Sequence, residues 1–212
     1  MLVLAVGCAG PASQRISTTQ TAEAPCCEAG RNSSWRDSVV RTATELVGAR
    51  TIEVNGRRVA YDCAGVTRAI FLPVGVDLYR SKLVAGRANG VKLIYRHVRQ
   101  FGRIHQGPTV RPGDLVFFHN TWDANGDGEV NDPLTHVGVV EAVEPDSTVI
   151  FISRVAGAVE RYRMNLMHPH RHRAEDGRVL NDYLRRKKRR DVEGTPYLTA
   201  ELFTAFGTPI LR

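Results

Sequence analysis

The strongest constraint on this chain is a change of apolar period partway along it. In the first half, apolar residues recur at helical spacing: Trp35, Val39, Val40, Ala43, Leu46 and Val47, then Val91, Ile94, Tyr95 and Val98. From Leu115 onward the apolar runs become short, β-branched and aromatic, at 115–118, 136–140, 148–152 and 158–164. A period of about 3.6 lines one face of a helix and a period of 2 lines one face of a strand, so the two halves need different backbones. Helices first and strands later predict an α+β domain, with an antiparallel sheet packed against N-terminal helices. At 212 residues, 42% apolar and 24% charged, the chain suffices for one domain with a sizeable core and short tails.

Within the helical half lies a local signal of turn chemistry. Asn55-Gly56 separates Thr51-Ile52-Glu53-Val54 from Arg57-Arg58-Val59-Ala60, which predicts a tight hairpin. The hairpin delivers the chain to Tyr61-Asp62-Cys63. Residues 64–72 read as an apolar helix that Pro73 ends, and Asp62 is suited to cap it. Cys63 then sits at a helix amino terminus, where partial positive charge and free N–H groups favour a thiolate. Ala64 and Gly65 are small enough to let a substrate backbone approach. A cysteine nucleophile needs a base, and His136 is the candidate, since it opens a strand beside Thr135 near the sheet's edge.

Three segments in order carry a family resemblance: Tyr61-Asp62-Cys63-Ala64-Gly65, Arg111-Pro112-Gly113-Asp114-Leu115-Val116-Phe117-Phe118 and Thr135-His136-Val137-Gly138-Val139-Val140. Over roughly residues 34–163 the chain resembles the papain-like cell-wall hydrolases of the NlpC and CHAP superfamily. The resemblance implies a papain-like fold with the nucleophile on a helix packed against the sheet. It implies Cys63 as nucleophile, His136 as general base and Tyr61 lining the site. It also implies cleavage of amide bonds in peptidoglycan stem peptides, or of the link between glycan and peptide, through a thioester. The family carries a third polar residue on the next strand to orient the histidine. Ser153 matches by position; a backbone carbonyl or one of His168, His170 and His172 are the alternatives. Two other readings share these residues: a non-catalytic envelope-binding module and a Cys–His acyltransferase.

Between the two strand segments runs Asp123-Ala124-Asn125-Gly126-Asp127-Gly128-Glu129-Val130-Asn131-Asp132, which resembles the calcium loop of EF-hands. Asp123, Asn125 and Asp127 would supply side-chain oxygens and Glu129 its backbone carbonyl. Leu134 stands where the bidentate glutamate belongs, so Asp132 or Asn131 would complete the set. Such a Ca2+ would be structural; the Cys–His chemistry requires no cofactor.

The ends complete the expected organisation. Residues 1–33 read as a lipoprotein-like signal and flexible linker, with the small-residue run before Cys8 as the acceptor of a lipid anchor. Residues 34–184 form the hydrolase domain and 185–212 a basic tail. The four cysteines, Cys8, Cys26, Cys27 and Cys63, make neither a disulfide scaffold nor a C-x-x-C zinc pattern. The net charge of +7 favours anionic partners, and Arg185 to Arg190 concentrates it. No aromatics are interleaved with that run, which argues against nucleic acid. The expected partners are peptidoglycan, an anionic envelope surface and a membrane held through Cys8, in the bacterial cell envelope or periplasm. His168-Pro169-His170-Arg171-His172 reads as a solvated loop with some metal-binding character.

Overall fold

The computed structural model describes residues 27–80, 89–189 and 191–209; the expected anchor at Cys8 and residues 9–26 of the expected linker lie outside them. The helical half folds as its period dictates. Helix α1 (Cys27–Glu45) starts within the segment read as linker and buries Val39 and Ala43, one turn apart on one face. It ends before Gly48, whose φ of 82° is open to glycine at no steric cost. The Gly48 N–H then donates to the Val159 carbonyl at 2.8 Å, tying the end of the helix to the sheet.

Strands β1 (Glu53–Val54) and β2 (Arg57–Arg58) form the expected hairpin, with Asn55 and Gly56 at φ of 52° and 71°. Two left-handed residues in succession are what a two-residue turn of this hand requires. The chain then enters α2 (Cys63–Phe71), where Asp62 accepts the Gly65 N–H at 2.7 Å. A Cβ on Gly65 would fall 1.9 Å from the Ala60 carbonyl oxygen, so only glycine lets the helix start press this closely on the hairpin exit. A 3-10 turn at Leu72–Val74, carrying Pro73, closes the helix. Helix α3 (Gly90–Phe101), capped by Asn89, buries Val91, Leu93, Ile94 and Val98.

The strand half supplies β3 (Arg103–His105), β4 (Leu115–Phe118), β5 (His136–Val143), β6 (Val149–Val155) and β7 (Ala158–Met164). After a long irregular stretch come a short helix α4 (Thr199–Leu202) and β8 (Phe203–Thr208). The order is β3-β8-β4-β5-β6-β7, every neighbouring pair antiparallel. The fold is α+β with a six-stranded antiparallel sheet. One face of the sheet, with Leu115, Phe117, Val137, Val139 and Ile152, packs against α1, α2 and α3. The other, with Val116, Phe118, Val140, Phe151, Tyr162, Met164 and Phe206, is covered by Leu184, Ala200 and Leu202 from the C-terminal stretch.

That second layer corrects the expected basic tail at 185–212. The tail contains β8, which inserts between β3 and β4 with Ala205 and Phe206 almost fully buried. The first residue of the basic run is folded in, since Arg185 is buried and donates to the Asn120 carbonyl at 2.7 Å, while residues 186–189 are exposed. A charge run describes the surface around it, whereas Phe203, Ala205 and Phe206 just beyond it carry enough apolar area to claim a place in the core. Among the described residues no helix is long and apolar enough to cross a membrane.

Candidate active site

The site forms where the start of α2 meets the start of β5 and the end of β6. Asp62 caps α2 and so fixes Cys63 at its first turn. The backbone N–H of Val137, the residue after His136, faces the Cys63 thiol. The sequence therefore brings Cys63 and His136 to the same end of β5. Among the described residues no hydrogen bond joins the two side chains directly.

His136 is held from two directions. The loop between β4 and β5 is stitched at its base: Asn120 N–H donates to the Asp132 carbonyl at 2.8 Å, and Thr121 donates from both its N–H and its hydroxyl to Thr135 Oγ1 at 2.9 Å. Leu134, in the left-handed region at φ 54°, donates its N–H to His119 Nδ1 at 2.8 Å. On the sheet, His136 Nε2 lies 2.9 Å from Ser153 Oγ, and Ser153 Oγ lies 2.7 Å from the Val137 carbonyl. A serine hydroxyl has one proton. The Val137 carbonyl can only accept, so that proton goes to it. The Nε2 contact must then be an N–H donated by the ring to Ser153. The neutral imidazole is thereby fixed with its proton on Nε2, and Nδ1 carries a lone pair with no partner among the described residues.

Of the candidates for the third position, Ser153 is the one that contacts His136. The alternatives do not reach the site: His170 pairs with Glu201 at 3.0 Å, and His172 Nδ1 lies 2.7 Å from the Asn181 carbonyl. His168 carries only backbone bonds, its carbonyl accepting from Asn181 at 2.8 Å.

The electrostatics depart from expectation. A helix amino terminus was expected to depress the Cys63 pKa; burial instead pushes it up to about 11, with the Val137 N–H opposing. The Asp62 carboxylate raises it further, because the cap that starts the helix also sets a negative charge beside the sulfur. His136 is driven the other way, to about 4, by burial and then by the positive charge of Arg154. At rest the thiol and the imidazole are both neutral.

Tyr61, expected to line the site, offers its ring rather than its hydroxyl. Its hydroxyl is committed to the Ala49 carbonyl, with the Gly157 carbonyl at 3.3 Å, which leaves the ring as a fixed flat surface. The Arg154 guanidinium lies over that ring, 5.0 Å from its centroid. Arg154 has no other described partner, and its Nε is buried without one. Sequence reasoning missed Arg154; its one signal was adjacency to Ser153.

The acidic loop folds on itself. Asp123 accepts the N–H groups of Gly126 at 2.7 Å and Gly128 at 3.2 Å. Asn125, Asp127 and Asn131 converge, with side-chain contacts at 2.8, 2.9 and 3.3 Å. The Asn131 amide is the first cause holding the exposed Asp127 carboxyl below its usual range. Glu129 offers its N–H to Asp127 at 2.8 Å. Asp132, expected as a possible ligand, is instead buried, and Asn131 takes the outward place beside Asp127. Among the described residues no three His, Cys, Asp or Glu side chains gather into a metal-binding group. The Asn125 and Asn131 amides both donate to Asp127 Oδ2, and Asn125 Oδ1 accepts the Asp127 N–H at 3.0 Å.

No family model matches the chain, and no curated protein sequence matches it. Among solved structures, the P60 domain of an antigen from M. avium subspecies paratuberculosis is similar, with a TM-score of 0.39 and 17% identity, over 64% of this chain and 89% of that one. The functional reading therefore rests on the geometry of the site itself.

Proposed function

We propose that this chain is a papain-like, cysteine-dependent amidohydrolase that cleaves amide bonds in peptidoglycan stem peptides through a thioester. The observation that carries the reading is the chain of contacts from the Val137 carbonyl through Ser153 to His136 Nε2, which leaves Nδ1 as the free base on the strand that faces the Cys63 thiol. The motif order Tyr61-Asp62-Cys63, Pro112-Gly113-Asp114 and His136-Val137-Gly138 supports it.

The steps follow from that arrangement. Cys63 Sγ attacks the amide carbon while its proton passes to His136 Nδ1, and the carbonyl π pair moves onto oxygen. The imidazolium keeps its Nε2–H on Ser153. As the tetrahedral species collapses, Nδ1–H gives its proton to the leaving nitrogen, the C–N bond breaks, and the acyl group remains on sulfur. A water deprotonated by Nδ1 then hydrolyses the thioester and restores the thiol. Because thiol and imidazole rest neutral, proton transfer accompanies attack and needs no preformed ion pair. The expected setting is the cell envelope, with Cys8 as lipid anchor.

The test is digestion of purified peptidoglycan, with soluble peptide read by mass. The wild type should release fragments, and Cys63→Ala should lose at least about a thousandfold of that rate. Release unchanged in Cys63→Ala would remove Cys63 from its role. The raised thiol pKa favours one second reading, a binding module that holds envelope polymer without cutting it; it predicts that the wild type co-sediments with peptidoglycan and releases nothing. We also propose that Asp123, Asn125, Asp127 and Asn131, with the Glu129 carbonyl, hold one Ca2+ that orders the loop. Calorimetry should register binding at millimolar calcium that Asp127→Asn weakens; no heat at that concentration would sink it.

A further inference from the structure

Among the described residues five arginines are buried or half-buried. Four have a carboxylate within 4 Å: Arg36 with Asp114 at 3.0 Å, Arg68 with Asp77 at 2.7 Å, Arg163 with Glu144 at 2.8 Å and Arg185 with Asp191 at 3.7 Å. This is the ordinary condition of a guanidinium taken out of water, since an unpaired buried charge is costly. Arg154 is the exception. It has no carboxylate and no hydrogen-bond partner among the described residues, and its Nε is buried and unmatched.

Its position is defined by three neighbours. Below it is the Tyr61 ring, held rigid through the hydroxyl, which orients the guanidinium plane. Next to it in β6 is Ser153, which turns to the opposite face of the strand and is bonded to His136. Its charge is felt at His136. A planar cation stacked on a fixed ring, with no carboxylate on it and its charge felt at the base, suits a planar anion that accepts two parallel N–H bonds.

We propose that Arg154, lying on Tyr61 beside His136, binds a substrate carboxylate adjacent to the scissile amide, so that the enzyme selects peptides bearing a free carboxylate at that point. This rests on the amidohydrolase reading above. Such selection also aids the chemistry. An unpaired guanidinium disfavours the imidazolium that must form, whereas a carboxylate seated on it cancels that charge. Peptides lacking the carboxylate would leave the cation unpaired and the base discouraged, so specificity and proton transfer are coupled through one side chain.

The test uses two synthetic stem peptides, identical except that the carboxylate beside the scissile amide is free in one and carboxamidated in the other. The wild type should prefer the free acid by about tenfold or more in kcat/KM, the scale of a charge-assisted bidentate contact. Arg154→Gln should turn over both peptides alike, and Arg154→Lys should keep part of the preference. A wild type indifferent to amidation, or Arg154→Gln with the preference intact, overturns the proposal. Calorimetry in the Cys63→Ala background separates this from failure of the catalytic reading. If no peptide is cleaved but the acid binds more tightly than the amide, and Arg154→Gln abolishes the difference, the carboxylate subsite stands without the chemistry. Equal or absent binding of both peptides refutes the subsite.

Discussion

The two ends of the β5–β6 pair are built on opposite rules. At the end where β5 finishes and β6 begins, polar groups are saturated: Glu141 holds Arg161 at 2.7 Å, Glu144 holds Arg163 at 2.8 Å, and Asp146 pairs with Arg178. Nearby, Asp114 is almost fully buried yet meets Arg36, the Thr208 hydroxyl and the Arg111 N–H at 3.0, 2.9 and 2.9 Å. At the other end, groups of equal polarity are left unfinished. Among the described residues Cys63 meets only backbone N–H groups, His136 Nδ1 has no partner, and Arg154 has no counter-ion. Fold stability is served by closing every polar contact, and chemistry by leaving some open for a substrate; the molecule keeps the two on separate ends of the same strands.

Removing a partner at the saturated end should give the largest change. Asp114 joins α1, β8 and the turn into β4, so Asp114→Ala strips the half-buried Arg36 of its counter-ion and should cost about 3 kcal/mol in denaturant unfolding. Cys63→Ala, at the open end, should unfold close to wild type. If the two variants lose equal stability, the division between the ends fails.

Acid should separate the ends next. Burial and Arg154 lower the His136 pKa from about 6.5 to about 4, so the unfolded chain takes up a proton there that the folded chain refuses. The stability this group contributes is full above pH 6.5 and is lost as pH falls towards 4. At about 1.4 kcal/mol per pH unit the loss approaches about 3 kcal/mol. The saturated end responds lower on the scale: Arg178 holds Asp146 down at about 2, so its pairing is lost only as pH falls below about 3.8. His97, His105 and His119, also lowered by burial, add to the upper window, so the quantity to measure is the difference between wild type and His136→Gln. Equal slopes for the two between pH 6.5 and 4 would contradict the burial of His136 as a neutral ring.

Within the open end, the Ser153 contact with His136 is closed, and Ser153→Ala tests what closing it achieves. The expected loss is about 1–2 kcal/mol of barrier, roughly tenfold in kcat, with KM little changed, because only the orientation of the base is released. A variant with unchanged kcat would leave His136 oriented by packing alone, against the Phe118 ring 6.1 Å away.

The sequence spoke unevenly about these regions. Helix caps, the Asn55-Gly56 turn and the strands of the 115–164 stretch were legible because each follows from local chemistry: a side chain that bonds its own backbone, a residue free to take positive φ, an alternation of apolar side chains. The juxtaposition of Cys63 with β5 was readable from three motifs in order. What stayed hidden is non-local. Strand β8 follows a run of positive charge, and nothing near it in sequence tells that it pairs with β4, some 90 residues earlier. The thiol pKa was misjudged for the same reason: a helix terminus is visible in sequence, but the burial that outweighs it is created by β5. Arg154 looks like any strand arginine until its neighbours show that no acid comes to meet it.

The smallest expected effect is the sharpest control on that last point. Arg161 and Arg154 lie seven residues apart on the β6–β7 hairpin, and both are guanidiniums. Arg161 makes a two-pronged contact with Glu141, at 2.7 and 2.8 Å, on a surface where its own side chain is 45% exposed. Water competes there for both charges, and ordering a long side chain costs entropy, so such a pair contributes little. Arg161→Gln should shift unfolding by no more than about 1 kcal/mol and leave turnover and the acid-over-amide preference where they were. Arg154→Gln removes the same charge from the same hairpin and should change that preference while disturbing stability equally little, since the stacking on Tyr61 that is lost contributes about 1 kcal/mol. If Arg161→Gln alters substrate choice as much as Arg154→Gln does, the preference comes from the overall positive field of the molecule, and the contrast between a paired and an unpaired arginine explains nothing about the site.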